Sequence, residues 1–364
     1  MVIIKQNLGV DVDSKKLKTS FMVLYSDQSI KVRASRTFDN TSSGFLKMQE
    51  WVESKKVEGL PIHLTMEATG VYYENLAYFF QAQDQFIVHV ELPNKTSAYF
   101  KSLNLKSKTD EIDAQALARF GLERKLEEWN PGSLQMRQIK KLTRERTRLL
   151  KEKTMVYNQL HAENNSYGSN QSSVIRYNER IDFIDNQVKQ IERETKKLVT
   201  KDCDLQERLN NVCTIKGVAF ITAISVIAET DGFTLFNNRS QLVSYAGYDV
   251  VQRQSGTSIK GKTRISKRGN SNIRSAMYMG AMSAILHDEH HRNYALRIVK
   301  KTGIRMKGNV AIQRKLLVLI YALYKKNVPY DPAYHNQLRI KLSAKKEEHQ
   351  VKKCRQDTNP AYAG

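Results

Sequence analysis

The sequence contains no apolar run of about 18 residues, the length that a helix needs to cross a bilayer. Its first residues also lack the hydrophobic core of a secretion signal. Only three cysteines occur, Cys203, Cys213 and Cys354, and they form no CxxC pair. Such a small, odd and scattered set fits a reducing compartment better than a disulfide framework. We therefore expect a soluble cytoplasmic protein.

Acidic residues are scarce relative to basic ones. The chain has 37 Asp and Glu against 59 Lys and Arg, a formal net charge of +22. The excess is localised: residues 1–130 carry 17 basic and 17 acidic side chains, whereas residues 206–364 carry 27 basic and 10 acidic, a difference of 17. A localised excess indicates a surface that binds a polyanion, for which nucleic acid is the usual candidate.

Residues 1–130 are predicted to form an α/β domain. Alternating apolar and polar residues predict five strands, at 7–12, 20–25, 30–38, 62–66 and 86–90. The first three follow one another and favour an antiparallel meander, whereas helices intervene between the later ones. Those helices are predicted at 44–54, after Gly70 and around 112–120. The predicted sheet is therefore antiparallel at one side and parallel at the other.

Residues 131–205 are predicted to form a coiled-coil helical hairpin. Apolar residues recur in two seams, the second with a regular 4-3-4-3 spacing: Ile139, Leu142, Leu149, Val156 and Leu160, then Tyr177, Ile181, Ile184, Val188, Ile191, Thr195 and Leu198. Arg146 and Lys153 interrupt the first seam, and the Asn- and Ser-rich stretch 164–173 predicts the turn. A seam of about three heptads fits an internal helix pair and a contact between two copies equally well.

A chain of 364 residues exceeds what one hydrophobic core usually supports. Residues 206–335 are predicted to form a mainly helical domain, because short helical patterns lie between Gly and Asn turns. The polar residues 336–364 are predicted to form a flexible basic tail. The fold class is thus α/β plus α.

Four carboxylates of the first domain form a candidate metal site. Asp11 lies within the first strand, where an unpaired buried charge would be very costly. Glu67 ends a strand, a position favoured for sites on α/β sheets. Asp110 and Asp113 are three residues apart at a helix start, so they share one helix face.

Each of these carboxylates alone is typical of a helix cap or a solvated charge. Together they can hold two Mg²⁺ ions, because Mg²⁺ prefers oxygen ligands. Two such ions can activate the attacking oxygen and stabilise the leaving oxygen at a phosphodiester. The combination predicts metal-dependent phosphodiester chemistry.

The motifs around these acids resemble those of a known family. Gly9-Val10-Asp11, Met66-Glu67-Ala68-Thr69-Gly70 and Lys108-Thr109-Asp110-Glu111-Ile112-Asp113-Ala114 are similar to three motif blocks of the DEDD insertion-sequence transposases, the family numbered one-ten. Further similar segments follow in the second half: 214–218, 244–247, 254–258, 266–270, Arg274 and Ala276. The resemblance covers roughly residues 5–335 and implies a RuvC-like RNase H fold for the first domain.

By this resemblance Ser255, in Gln254-Ser255-Gly256, is the family's nucleophilic serine. Its attack on DNA would give a phosphoserine linkage, which allows rejoining without ATP. Ser258 and Ser266 are rival hydroxyls. Basic side chains around the serine are predicted to bind nucleic acid, with one further lysine in a turn that resembles a helix-hairpin-helix turn: Lys216, Lys260, Lys262, Arg264, Lys267, Arg268 and Arg274.

The resemblance also implies partners. Donor and target DNA would be the substrates, and a bridge RNA would pair with both. The protein would then recognise the shape and the backbone of the nucleic acids, and base pairing would select the sequence. Active sites composed of domains from different subunits imply a homo-oligomer, a dimer or a tetramer, in the cytoplasm of a prokaryotic cell and on the nucleoid when bound. Two alternatives stay open: a metal-only nuclease of the Holliday-junction resolvase type, in which Ser255 is structural, and a non-catalytic nucleic-acid-binding protein.

Overall fold

A computed structural model describes residues 1–104, 107, 109–234, 236–251, 254–255, 259–260 and 264–333, with the backbone alone for 254–255 and 259–260. This part of the chain divides after Pro131 into two compact units. The predicted hairpin and the domain after it both belong to the second unit, and their separation into two domains stays a prediction. The predicted tail, 336–364, lies outside the described residues.

A mixed five-stranded sheet forms the centre of the first unit. The elements in chain order are β1 (Ile3–Val12), β2 (Lys16–Tyr25), β3 (Ile30–Asp39), α1 (Ser42–Glu53), β4 (Ile62–Glu67), α2 (Glu74–Gln81), β5 (Phe86–Glu91), α3 (Pro93–Ser102) and α4 (Asp110–Glu123). The strand order is β3-β2-β1-β4-β5. Strands β1, β2 and β3 pair antiparallel, and β1, β4 and β5 pair parallel. The predicted mixture of antiparallel and parallel pairing is confirmed.

Strand β1 is covered on both faces, and its side chains alternate between them. Leu8 and Val10 face one side and belong to a core that includes Met48 of α1 and Phe80 of α2. On the other side, Asn7 donates its Nδ2 hydrogen to the Ala118 carbonyl of α4, at 2.7 Å. By the same alternation, Asp11 lies on the face that α4 covers.

Helix α3 was absent from the sequence-based prediction. It contains few apolar residues and buries only Thr96 and Tyr99 fully. Its start carries a recognisable signal, since Pro93 occupies the first turn, where a missing N–H costs nothing. The periodicity of apolar residues is too weak over these ten positions to predict the helix.

The second unit is mainly helical. Its elements are α5 (Leu134–Asn164), α6 (Gln171–Val199), α7 (Cys203–Cys213), α8 (Phe220–Glu229), α9 (Arg239–Tyr245), β6 (Val250–Val251), β7 (Gln254–Ser255), β8 (Ile259–Lys260), β9 (Arg264–Ile265), α10 (Ser271–His287), α11 (Glu289–Thr302) and α12 (Arg305–Lys326). Fully buried side chains of α8, α10 and α12 share one core, among them Ile224, Met277 and Leu316. No helix of the described residues is long and apolar enough to cross a membrane.

Helices α5 and α6 pack as an antiparallel pair within one chain. Val156 is buried against Ile184 and Val188, as the two seams predict. The basic residues that interrupt the first seam have acidic partners on α6: Arg146 pairs with Glu192 at 2.7 Å, and Lys153 pairs with Asp185. Of the two interpretations left open for the seams, the internal helix pair is present.

Candidate active site and nucleic-acid interface

The sheet brings Asp11 and Glu67 to neighbouring strand ends. Val10 of β1 pairs with Met66 of β4 in parallel register, and each carboxylate is the next residue along its strand. Parallel strands end at the same edge of a sheet, which is where sites of α/β proteins commonly form. Both residues are partly exposed at this edge.

A glycine allows α4 to approach that edge. A Cβ atom at Gly9 would lie 2.1 Å from the Ala114 carbonyl oxygen and 2.2 Å from the Ala118 nitrogen. Only a residue without a side chain tolerates backbone at this distance. The close contact lays the first turn of α4, which carries Asp110 and Asp113, beside the strand that carries Asp11. Thr109 caps this helix by accepting the N–H of Ile112.

Three members of the predicted quartet line one cavity. A cavity of about 810 Å³ is bounded by Asp11, Glu67 and Asp113, and by residues of α3 such as Ser97 and Lys101. Asp110 is not among the lining residues, although its charge acts on Asp11. The structure therefore gathers Asp11, Glu67 and Asp113 around the cavity, and Asp110 acts on Asp11 through its charge more strongly than Asp113 and Glu67 do.

The electrostatics of this cavity are those of crowded acids. The pKa of Asp11 is raised from its ordinary value of 3.8 to about 6, first by burial and then, in decreasing order, by the negative charges of Asp110, Asp113, Glu67 and Asp13. Burial penalises the carboxylate form, and like charges do the same. A raised pKa at such a cluster is typical of a functional site.

Two hydroxyl groups hold the Glu67 side chain. Thr69 donates to Oε1 at 3.0 Å, and Thr96 donates to Oε2. Thr96 is fully buried in α3, so this contact ties the carboxylate to the cavity wall. Thr96 was not predicted as a site residue, because the helix that carries it was not predicted.

The donor set fits a hard divalent cation, because all the gathered groups are carboxylate oxygens with mutually repelling charges. The positions do not form a closed ligand set: among the described residues, no group of three or more His, Cys, Asp or Glu side chains could hold an ion as it stands. The site fits Mg²⁺ by charge and by donor chemistry, and its carboxylates would have to draw together around an ion.

The predicted serine lies in a short hairpin of the second unit. Gln254 pairs with Lys260, and Ser255 pairs with Ile259, in antiparallel register. Lys262 and the rival Ser258 lie outside the described residues. The other rival, Ser266, donates its hydroxyl to Asp249 Oδ1 at 2.6 Å, so this hydroxyl serves the loop in which it lies.

Most of the described basic side chains predicted to bind nucleic acid are exposed: Lys216, Arg264, Lys267 and Arg268. Arg274 is different, because its guanidinium is half-buried and donates to the Ala246 carbonyl at 2.7 Å. At least one of its donors therefore holds the end of α9.

An ion pair with a buried carboxylate connects α5 and α8 to the start of α10. Glu229, only 1% exposed, accepts two hydrogen bonds from Arg144 of α5, at 2.6 and 2.8 Å. It also accepts from Asn270 at 2.7 Å and from Asn272 at 3.1 Å, where α10 begins. Burial alone would raise the pKa of Glu229, but Arg144 and Asn270 stabilise the carboxylate, and its pKa lies below the ordinary value. This network could not be predicted from the sequence, because its members are far apart in the chain.

Known proteins match both halves of the chain. A DEDD transposase family model of the IS110 type matches residues 8–163, and the model described as "Transposase IS116/IS110/IS902 family" matches residues 209–296. The pilin gene-inverting proteins of Moraxella bovis and Moraxella lacunata are each 27% identical over 341 residues, 91% of this chain and 99% of theirs. The transposase for insertion sequence element IS1111A of Coxiella burnetii (strain RSA 493 / Nine Mile phase I) is 23% identical over 269 residues, 65% of this chain and 71% of that protein.

The α/β unit with its acidic cavity, together with these matches, defines an enzyme that recombines DNA, a transposase or recombinase. The two matched regions lie in the order in which the motifs were found in the sequence. The chain belongs to the IS110 family of DEDD transposases.

Proposed function

We propose that this transposase cuts and rejoins DNA through a covalent serine intermediate, with a RuvC-like first domain of the RNase H fold. Asp11, Glu67, Asp110 and Asp113 would hold the divalent cation, two Mg²⁺ ions per site. Such ions supply stabilisation of the charge on the attacking and leaving oxygens of a phosphodiester. The single observation that carries this proposal is the acidic cavity in which like charges and burial raise the pKa of Asp11 to about 6.

Ser255 would be the nucleophile. Its Oγ, losing the hydroxyl proton, would form a bond to phosphorus while the bond from phosphorus to a deoxyribose oxygen breaks. That strand end leaves as a free hydroxyl, and the phosphate stays on the serine. A strand-end hydroxyl then attacks the phosphoserine, restores the serine and rejoins DNA. Two relatives are named as proteins that invert a pilin gene, and an inversion requires both cutting and rejoining.

The exposed cations near the serine segment, Arg264, Lys267 and Arg268, would neutralise phosphates of the substrate. Donor and target DNA would be the substrates, with a bridge RNA as the guide and a dimer or tetramer of this chain as the active form. The division into domains at 1–130, 131–205, 206–335 and a tail at 336–364 belongs to the same proposal. These assignments rest on the family motifs and on the localised basic excess.

The test is a search for a protein–DNA adduct. Purified protein with Mg²⁺ and a labelled, nicked suicide substrate is separated by denaturing electrophoresis, and the attachment point is mapped on peptides. Wild type should carry DNA on Ser255, and Ser255→Ala should carry none. Ser266→Ala is the matched control, since it removes another hydroxyl from the same region and should retain the adduct.

Substitutions of the acidic cavity complete the test. Glu67→Gln and Asp113→Asn should abolish the adduct while nucleic-acid binding persists, because they alter charge at the reacting phosphate alone. A normal adduct with Ser255→Ala would refute the serine mechanism. Efficient cleavage to free phosphate and hydroxyl ends, without any adduct, would favour the metal-only nuclease instead.

A further inference from the structure

A second cavity lies in the mainly helical unit, outside every motif considered above. Its volume is about 510 Å³, and residues of α9, α11 and α12 line it. Three of its lining side chains are cations, Arg239, Arg314 and Lys315, and none is acidic. The aliphatic side chains of Val243 and Val318 complete part of the wall. The cavity thus combines an uncompensated positive charge with an apolar surface.

Of the three cavity cations, Lys315 is held in place by two neighbours, the ring of Tyr294 and His290, whose Nε2 lies within hydrogen-bond distance of the Lys315 Nζ. The Lys315 Nζ lies 4.9 Å from the centroid of the Tyr294 ring, and the guanidinium carbon of Arg297 lies 5.0 Å from it. Lys315 is half-buried, and its burial lowers its pKa. The acidic residue whose charge reaches Lys315 is Asp288, and its carboxylate already contacts His291 Nδ1 at 3.0 Å. A cation that is desolvated and only weakly balanced favours an incoming anion.

The basic character continues beyond the cavity. Between residues 289 and 326, which form α11 and α12, the sequence has ten Lys and Arg and one acidic residue, Glu289. A free nucleotide needs cations at one point only, whereas a strand needs further cations for its neighbouring phosphates. The cavity volume suits one nucleotide and excludes a duplex, since ligand pockets of about 300–1,000 Å³ enclose molecules of that size.

We propose that this cavity binds one nucleotide of a single-stranded nucleic acid, with Arg239, Arg314 and Lys315 on its phosphate and Val243 and Val318 against its sugar or base. The inference rests on the proposed function, because it names a contact that the recombinase makes with its nucleic acid. DNA and RNA strands share the chemistry that the cavity would recognise. Binding is separable from cleavage, so the cavity can be tested even if the chain forms no serine adduct.

The experiment uses full-length protein without divalent cations and a fluorescent single-stranded oligonucleotide, as DNA and as RNA of one sequence. The double variant Arg239→Gln with Arg314→Gln removes two exposed cavity cations that no hydrogen bond or ion pair described here engages. The control is Lys301→Gln with Arg305→Gln, which removes two exposed cations of α11 and α12 outside the cavity wall. Fluorescence anisotropy measures affinity across a salt titration.

We expect the cavity variant to bind at least one strand type about tenfold or more weakly, with a salt slope reduced by roughly one, and the control to change far less. The strand type that loses affinity identifies the source of the nucleotide. Equal effects of the two double variants on both strands would overturn the proposal. Competition by a free nucleoside monophosphate as effective as that by the strand would overturn the assignment to a strand.

The location is tested by photo-crosslinking with an oligonucleotide that carries a halogenated pyrimidine. Wild-type protein should give crosslinked peptides that contain residues 239–243 or 311–318, and the cavity variant should lose them. Crosslinks confined to other segments would contradict the proposal. A protein that gives these crosslinks but no covalent serine adduct would refute the serine mechanism alone.

Discussion

Removing Arg144 should loosen the part of the second unit that connects α5 and α8 to the start of α10. In Arg144→Ala, the 1% exposed carboxylate of Glu229 would lose two hydrogen bonds from a cation, and Lys140, whose Nζ lies 3.8 Å from Oε2, would be the cationic partner left among the described residues. Truncating one partner of a buried ion pair typically costs about 3–5 kcal/mol, because the other charge stays buried. Asn270 and Asn272 would still donate to this carboxylate, so we expect about 3 kcal/mol, the lower end of that range.

The same helix offers a matched control. Arg146, two residues further along α5, pairs with Glu192 where both side chains are partly exposed, 24% and 34%. An ion pair that water reaches contributes about 0–1 kcal/mol, so Arg146→Ala should be nearly neutral. Charge and chain length change equally in the two variants, and the main difference is the burial of the acidic partner: Glu229 is 1% exposed and Glu192 is 34% exposed, whereas the arginine side chains are 46% and 24% exposed.

The assay has to be local, because two units need not unfold together. Hydrogen exchange of amides in α8 and α10 measures the free energy of opening around Glu229. Arg144→Ala should lower it by about 3 kcal/mol, and Arg144→Lys, which keeps the charge and loses the bidentate geometry, should lie between. The double variant Arg144→Met with Glu229→Met should recover much of the loss. A cost for Arg144→Ala no larger than that for Arg146→Ala would refute this reasoning.

Three further predictions concern the two sites. Without divalent cations at pH 7 to 8, Asp11→Asn should stabilise the first unit by roughly 1–2 kcal/mol after allowance for solvent screening. The pKa of Asp11 is raised to about 6, so the wild-type protein loses stability as pH rises through that value. In unfolding curves, the advantage of the variant should vanish below pH 3.8. Thr96→Val should slow strand cleavage roughly tenfold to a hundredfold without changing DNA affinity, since the hydroxyl positions Glu67. Thr96→Ser should restore the rate. A cleavage rate of Thr96→Val equal to that of the wild-type protein would refute this role. Lys267→Gln and Arg268→Gln should weaken binding to all sequences alike and reduce its salt dependence, and a change of sequence preference in a binding titration would contradict a phosphate contact.

Local patterns predicted the first unit well, and contacts between distant residues could not be predicted. The strands of the sheet have clear alternation, and Asp11 and Glu67 follow from their positions along two of them. Helix α3 contains few apolar residues, so Thr96 and its bond to Glu67 could not be predicted. Arg144 and Glu229 are 85 residues apart, and nothing local marks them as partners. Arg274 was predicted to bind nucleic acid, but its bond to Ala246 depends on how α9 and α10 pack.

The charged pairs of Arg146 and Lys153 across α5 and α6 also determine how the helices are aligned. Apolar seams of heptads allow two antiparallel helices to slide by one repeat and still pack. Sliding by one heptad in one direction would place Arg146 opposite Val199 while Lys153 met Glu192. Sliding in the other direction would place Lys153 opposite Asn178 while Arg146 met Asp185. Only the observed alignment matches both basic residues with acids, so the interruptions of the seam select one register and fix where the turn at the tip of the hairpin lies.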